Sequence, residues 1–219
     1  MSKYKYILFD LDGTISKSAQ GIRKSLEYAI TKLGKPLPNL DDYTLYIGPP
    51  LIDTFRNLCC LNDSDSEAGT EIYREFYNTK GKYYNELYDG TKEVLAHLNN
   101  NGIKVAVCSS KYEKFAEEIV EILNVSQYFD AVCGSTLDGS RKDKKDLIPY
   151  AVNALGGNFE KDRDNTVMIG DTYFDVRGAT LCGVDFIGVE YGYGSLDAMK
   201  NEGAKVFVKA PLDLLDLLL

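Results

Sequence analysis

The chain is short of several things that enzymes and binding proteins commonly rely on. It has one histidine in 219 residues, His97. That removes histidine-based phosphoryl transfer and most zinc sites, which depend on imidazole ligands. His97 lies in the helix-like run Val94-Leu95-Ala96-His97-Leu98 and is expected at the surface. Cysteine is limited to Cys59, Cys60, Cys108, Cys133 and Cys182. The number is odd, no CxxC occurs, and Cys108 and Cys133 sit in apolar runs, so reduced, packed thiols and a cytoplasmic setting are expected. No apolar stretch approaches the roughly 20 residues that a membrane span needs. Met1-Ser2-Lys3-Tyr4 has neither the apolar segment nor the cleavage site of a signal peptide. A long basic tract is also missing, and the formal net charge is -8 with a pI near 4.8. A broad phosphate-neutralising surface, and with it a nucleic acid polymer as partner, is thereby disfavoured. A small phosphate remains possible, because a few local lysines and a metal set the field inside a cleft.

What remains is an ordinary globular composition, 44% apolar and 26% charged, with length for one domain or two small ones. Its most informative stretch is Asp10-Leu11-Asp12-Gly13-Thr14, directly after the apolar run Tyr6–Phe9. A strand ends by delivering two carboxylates, one residue apart, into a Gly-Thr turn. Two such groups repel, and desolvating either is costly without a cation or a proton. Mg2+ fits, being a hard ion usually held by one or two carboxylates plus substrate phosphate. A plain surface turn is the competing explanation, since Asp and Gly favour turns.

Short apolar runs alternate with helix-period segments, which predicts a Rossmann-like α/β fold: a parallel sheet with helices on both faces. The runs are Tyr6–Phe9, Ile103–Cys108, Ala131–Cys133, Thr166–Ile169 and Phe186–Val189. Helices are predicted over Gly90–Asn101, Lys114–Asn124, Asp146–Leu155 and Tyr173–Leu181, with a terminal one in Leu212–Leu219. About ninety residues separate the first two runs, far more than one βα connection requires. Helical stripes inside that interval predict a small α-helical cap over residues 16–80, inserted into a core made of 1–15 and 81–219.

Ligands of parallel sheets gather outside the carboxyl ends of the strands. There the sequence places Asp10 and Asp12, then Ser109-Ser110-Lys111, then Gly170-Asp171-Thr172 with Asp175 one turn on. The charge run Arg141-Lys142-Asp143-Lys144-Lys145 follows the third strand. Carboxylates for a cation, hydroxyls for phosphate oxygens and ammonium groups converge on one edge. Each has a bland counterpart: Asp171 as a helix cap, Asp175 as a first-turn carboxylate, Ser109 as a turn residue with Ser110 competing, and the lysine run as a solvated face. Lys111 is either a surface charge or an auxiliary phosphate ligand.

Phe9-Asp10-Leu11-Asp12-Gly13-Thr14, the Ser109 strand end, the Lys142 region and Gly170-Asp171-Thr172-Tyr173-Phe174-Asp175 resemble the four motifs of the haloacid dehalogenase superfamily, in its helical-cap phosphatase branch. Tyr46-Ile47-Gly48-Pro49-Pro50-Leu51 and Gly188–Gly194 are similar to the group of phosphoglycolate phosphatases and 5′-nucleotidases. The resemblance implies a phosphoric monoester hydrolase with Asp10 as nucleophile, Asp12 as general acid and base, and Ser109 and Lys142 holding the phosphoryl oxygens. The family often has Pro after this lysine where Asp143 stands here, so Lys144 or Lys145 could take the part. It further implies Mg2+ on Asp10, the Asp12 carbonyl and Asp171, with Asp175 as a neighbouring carboxylate at the metal or a partner just behind its ligands. Thr14, Gly48, Ser110 and Arg56 are candidate substrate contacts, and Tyr46 a further cap candidate. The expected partner is a small phosphorylated metabolite, the expected assembly a monomer or homodimer. A phosphomutase is the alternative within the superfamily, although no histidine follows the first motif, and a phospho-acceptor switch is the alternative outside it.

Overall fold

The computed structural model describes residues 3–219. Its centre is a six-stranded sheet of β1 (Tyr6–Phe9), β4 (Lys104–Tyr112), β5 (Ala131–Ser135), β6 (Thr166–Gly170), β7 (Asp185–Val189) and β8 (Phe207–Val208). All neighbours are parallel, in the order β5-β4-β1-β6-β7-β8. Every residue of β1 is buried, and its side chains divide by the two-residue period of a strand. Ile7 and Phe9 enter one apolar cluster with Val105, Val107, Val167 and Ile169. Tyr6 and Leu8 enter the opposite one with Ala106, Cys108 and Met168. Burial on both faces makes such strands continuous apolar runs rather than alternating ones, which is why the sequence marks them.

Helices cover both faces. α4 (Thr91–Asn100), α5 (Glu113–Ile122) and the terminal α10 (Leu214–Leu218) close the first cluster. α6 (Lys144–Ala154) and α8 (Tyr173–Cys182) close the second. Pro149 interrupts α6; it has no amide to give the Lys145 carbonyl four residues back. The Cys182 thiol of α8 reaches that carbonyl instead, at 3.4 Å. Short helices α7 (Phe159–Asp162) and α9 (Leu196–Asn201) complete the set.

The long interval after β1 is helical. It opens and closes on a two-stranded antiparallel ribbon, β2 (Ser16–Lys17) against β3 (Glu86–Leu87), with Ser16 opposite Leu87. Between them lie α1 (Ala19–Lys32), α2 (Leu51–Asn57) and α3 (Asp63–Thr79). α1 buries Ile22, Leu26, Ala29 and Ile30, and α3 buries Tyr73 and Tyr77.

Two elements differ from expectation. β4 does not stop at Cys108: it shifts register there and continues to Tyr112, so Ser109, Ser110 and Lys111 belong to the strand. β8, two residues long, carries no periodicity that a sequence could reveal. Among the described residues no helix is long and apolar enough to cross a membrane, all five cysteines are free, and His97 is exposed.

Candidate active site

β1 has β4 on one side and β6 on the other, and successive strands then lead away from it in both directions. This is the reversal point at which open parallel sheets bind ligands. Asp10 follows β1 and continues its ladder, its amide donating to Ile169 O at 2.8 Å. The chain then turns sharply: the Ser16 amide donates to Leu11 O at 2.9 Å and the Gly13 amide to Ser16 O at 2.9 Å. Gly13 sits at φ +86, where an L side chain is strained, and a Cβ there would meet Asp171 Oδ2 at 2.1 Å. Only glycine lets this turn lie against the carboxylate that ends β6.

Asp10, Asp171 and Asp175 are all buried and offer carboxylate oxygens lying within 4.8 Å of one another. One ammonium serves the group. Lys144 Nζ lies 2.7 Å from Asp10 Oδ1 and 2.6 Å from Asp175 Oδ1, and donates to Cys108 O at 2.7 Å. The contact with Asp175 is an ion pair whose angle makes no hydrogen bond. Asp175 Oδ2 accepts from the Thr172 amide at 3.1 Å and hydroxyl at 2.7 Å, closing a capping box at the start of α8. Asp171 caps no helix. Its Oδ2 accepts from the amides of Tyr193 at 2.7 Å and Gly194 at 3.3 Å, and Thr14 Oγ1 donates to its Oδ1 at 3.4 Å.

Three carboxylates against one ammonium leave two negative charges in a buried site, and the titration of the groups reflects it. Burial pushes the Asp10 carboxyl up to about 6, although Lys144 pulls it down, and Asp175 adds to the rise. Burial, then Asp10 and Asp175, push Asp171 well above the ordinary carboxylate range. An excess of two charges on oxygen ligands suits one hard divalent cation, so the residues present fit a metal site.

Asp12 faces the other way. Its Oδ2 pairs with Lys111 Nζ at 2.9 Å, and its Oδ1 is buried without a hydrogen-bond partner. Lys111 is also 3.1 Å from the Tyr77 hydroxyl of α3. Burial works against this ammonium, yet Asp12, Tyr77 and Tyr73 outweigh it and raise its pKa. Ser109 is buried, its Oγ accepting from the Lys111 amide at 3.3 Å.

These groups open onto a cavity of about 550 Å³ between the sheet edge and the helical insertion. Asp10, Asp12, Ser109, Ser110, Lys144, Thr172 and Asp175 line its floor, while Gly48, Arg56, Tyr73 and Arg74 come from the insertion.

The geometry departs from expectation at several residues. The lysine beside Asp10 is Lys144. Lys142 lines the cavity, but its side chain is 39% exposed and its ammonium lies 3.8 Å from Asp53 of α2. Helix register explains the difference: Lys144 is the first residue of α6 and packs against Gly178 of α8, where even a methyl group would lie 2.2 Å from its Cβ. Thr14 turns to Asp171 rather than into the cavity. Arg56 lines the cavity but is held by Asp63 at 3.0 Å and Asp53 at 3.6 Å; Tyr46 lines it as expected, although its hydroxyl donates to Leu40 O at 2.9 Å. The carboxylate of Asp12 stands outside the acidic cluster, paired with Lys111. Sequence reasoning missed Gly194, where a Cβ would stand 1.8 Å from Asp171 O; the Gly192-Tyr193-Gly194 spacing was its visible signal. It also missed Arg74.

Residues 7–189 match the family described as haloacid dehalogenase-like hydrolase. A 5′-nucleotidase of Pseudomonas aeruginosa is 36% identical over 198 residues, 90% of this chain and 88% of that protein. The tyrosine-protein kinase PtkA of Mycobacterium tuberculosis is 36% identical over 204 residues, 93% of this chain and 68% of that one. The crystal structure of a predicted phosphatase from Clostridium acetobutylicum superposes with a TM-score of 0.89 at 36% identity, over 98% of this chain and 99% of that one. The chain belongs to the haloacid dehalogenase-like hydrolases. Within them it stands with the phosphatases, the phosphoric monoester hydrolases.

Proposed function

We propose that this protein hydrolyses small phosphomonoesters with Mg2+ through an aspartyl-phosphate on Asp10. The observation that carries the proposal is the buried cluster of Asp10, Asp171 and Asp175, two negative charges in excess and open to a cavity. Asp10, the Asp12 carbonyl, Asp171 and Asp175 would hold the ion, which supplies charge neutralisation for the phosphoryl group when bound. Asp10 Oδ attacks phosphorus and the bond to the leaving oxygen breaks. Asp12, protonated for this step, gives its proton to that oxygen; its Oδ1, buried and unpartnered, is the atom free to do so. In the second step Asp12 takes a proton from water, the water oxygen attacks phosphorus, and the phosphorus–Asp10 bond breaks to release phosphate. Lys144 holds Asp10 in place and neutralises it, and Ser109 and Ser110 meet the phosphoryl oxygens. Such positioning is most of what phosphoryl transfer asks of a protein.

Residues 16–80 act as a cap in this scheme, with 1–15 and 81–219 as the catalytic core. The cavity beneath it is of the size that encloses a small metabolite, which favours phosphorylated metabolites over polymers. The free cysteines favour a cytoplasmic location, and a monomer or homodimer suffices because one chain supplies all of the site.

Phosphate release from p-nitrophenyl phosphate tests the proposal. Turnover is expected with Mg2+ and none with EDTA, and acid quenching is expected to trap a hydroxylamine-sensitive phosphate on Asp10. A protein that labels once from the substrate and stops is a switch. One that moves phosphate from ATP to tyrosine instead is a kinase like its mycobacterial relative. Either result ends the proposal.

A further inference from the structure

Five cationic side chains line the catalytic cavity: Arg56, Arg74, Lys111, Lys142 and Lys144. Four of them have a carboxylate within 4 Å. Lys144 has Asp10 and Asp175, Lys111 has Asp12, Arg56 has Asp53 and Asp63, and Lys142 has Asp53. Arg74 has none among the described residues. It projects from α3 at partial burial, its guanidinium carbon 6.0 Å from the centroid of Tyr112, which ends β4. Tyr73 and Tyr77 stack 5.5 Å apart, Tyr77 meets Phe115 at 5.3 Å, and Phe115 meets Tyr112 at 5.3 Å. A guanidinium thus stands beside a wall of rings, between insertion and core; Glu67 and Glu71 line the same cavity, yet neither comes within 4 Å of it.

We infer that Arg74 is the receptor for an anionic group on the leaving portion of the substrate, so that the preferred phosphomonoesters carry a carboxylate or a second phosphate beyond the scissile bond. The inference rests on the phosphatase reading and narrows it. A charged group beside apolar rings is poorly hydrated, and burial indeed lowers the Arg74 pKa, with Tyr112 and Glu71 opposing too weakly to reverse it. An incoming anion supplies the missing partner, and the planar fork of arginine suits carboxylate and phosphate in two parallel hydrogen bonds. The phosphoryl group itself has other cations: Lys144 and Lys111 already stand over Asp10 and Asp12. Glu71, one turn earlier on α3, is exposed and forms no ion pair with Arg74. A neutral leaving group such as a nucleoside would leave Arg74 uncompensated beneath the insertion.

The test is a pair of matched comparisons with Mg2+ present: phosphoglycolate against 2-hydroxyethyl phosphate, and 3-phosphoglycerate against glycerol 3-phosphate. In each pair the acid and the alcohol differ in one group. Wild type is expected to favour the acid in kcat/KM by about 30-fold. Arg74→Gln should bring that ratio near one, a relative loss of about 30-fold, the scale of removing one partner from a partly desolvated ion pair. Arg74→Lys, a point charge without the fork, should keep part of the preference, and melting temperatures verify that both variants fold. A ratio unchanged in Arg74→Gln, or a wild type that prefers the alcohols, overturns the inference while phosphatase activity stands. A wild type that hydrolyses none of the four esters nor p-nitrophenyl phosphate overturns the phosphatase reading and this inference with it.

Discussion

Replacing the proposed nucleophile should make the metal-free protein more stable. The Asp10 carboxyl ordinarily titrates at 3.8 and is pushed up to about 6 in the fold. At about 1.36 kcal/mol per pH unit, keeping Asp10 charged costs the metal-free fold about 3 kcal/mol. The folded value lies above the unfolded one, so the contribution of Asp10 to stability is present in full below 3.8. It fades between 3.8 and about 6, and is lost above. Asn has nearly the volume of a protonated Asp and never ionises. In EDTA, Asp10→Asn should therefore match wild type near pH 4 and exceed it by about 3 kcal/mol at pH 7.5. For a chain of this length that is roughly 6–12 °C in Tm. Saturating Mg2+ should narrow the gap, because it binds the native wild-type site more tightly than the variant and adds stability by mass action. Urea denaturation and thermal melts across pH 4–8, with EDTA or Mg2+, measure this directly, while turnover of p-nitrophenyl phosphate should vanish in the variant throughout. The reasoning fails if Asp10→Asn shows no stability advantage at pH 7.5 in EDTA, or if its advantage is the same at pH 4.

Three further outcomes are expected. Lys144→Met strands Asp10 and Asp175 without a cation and should cost about 3–5 kcal/mol of metal-free stability along with activity, whereas Lys142→Met should stay within about 0.5 kcal/mol; chemical denaturation of both ranks the two lysines. Gly194→Ala drives a methyl group into the Asp171 carbonyl and should destabilise by about 3 kcal/mol or more while weakening Mg2+ binding, read by calorimetric titration. Asp12→Asn keeps the volume but removes the transferable proton, so kcat should fall by about 10²–10⁴ and acid-quenched protein should accumulate phosphate on Asp10; unaltered turnover would remove Asp12 from proton transfer.

The sheet and the helices on its two faces were legible because each left a periodic trace. β1 is four buried residues in a row, and α5 repeats Phe115, Ile119 and Ile122 at helical spacing. The carboxylates were legible because strand ends in such a sheet meet at one edge. Lys144 was not. In the run from Arg141 to Lys145 the lysines look alike, and only the starting register of α6, with the space left by Gly178, turns one of them inward. Arg56 and Arg74 posed the same difficulty. Both sit on helices with acidic residues nearby, and three-dimensional placement alone decides that Asp53 and Asp63 reach the first, while among the described residues no carboxylate comes within ion-pair distance of the second. The ties between Asp171 and the loop of Tyr193 and Gly194 span 22 and 23 residues, beyond the reach of local pattern.

The ribbon of β2 and β3 has a topological consequence. Ser16 and Leu87 stand opposite each other, so the whole excursion leaves the main chain and returns to it at one doorway. Everything between could be exchanged for a shorter or longer piece, even a tight two-residue turn, without unthreading a strand of the main sheet. On the proposed reading of the insertion as a cap, hydrolytic machinery and selectivity are separately replaceable parts, which gives evolution, or an engineer, a socket for grafting new preferences onto an unchanged reaction.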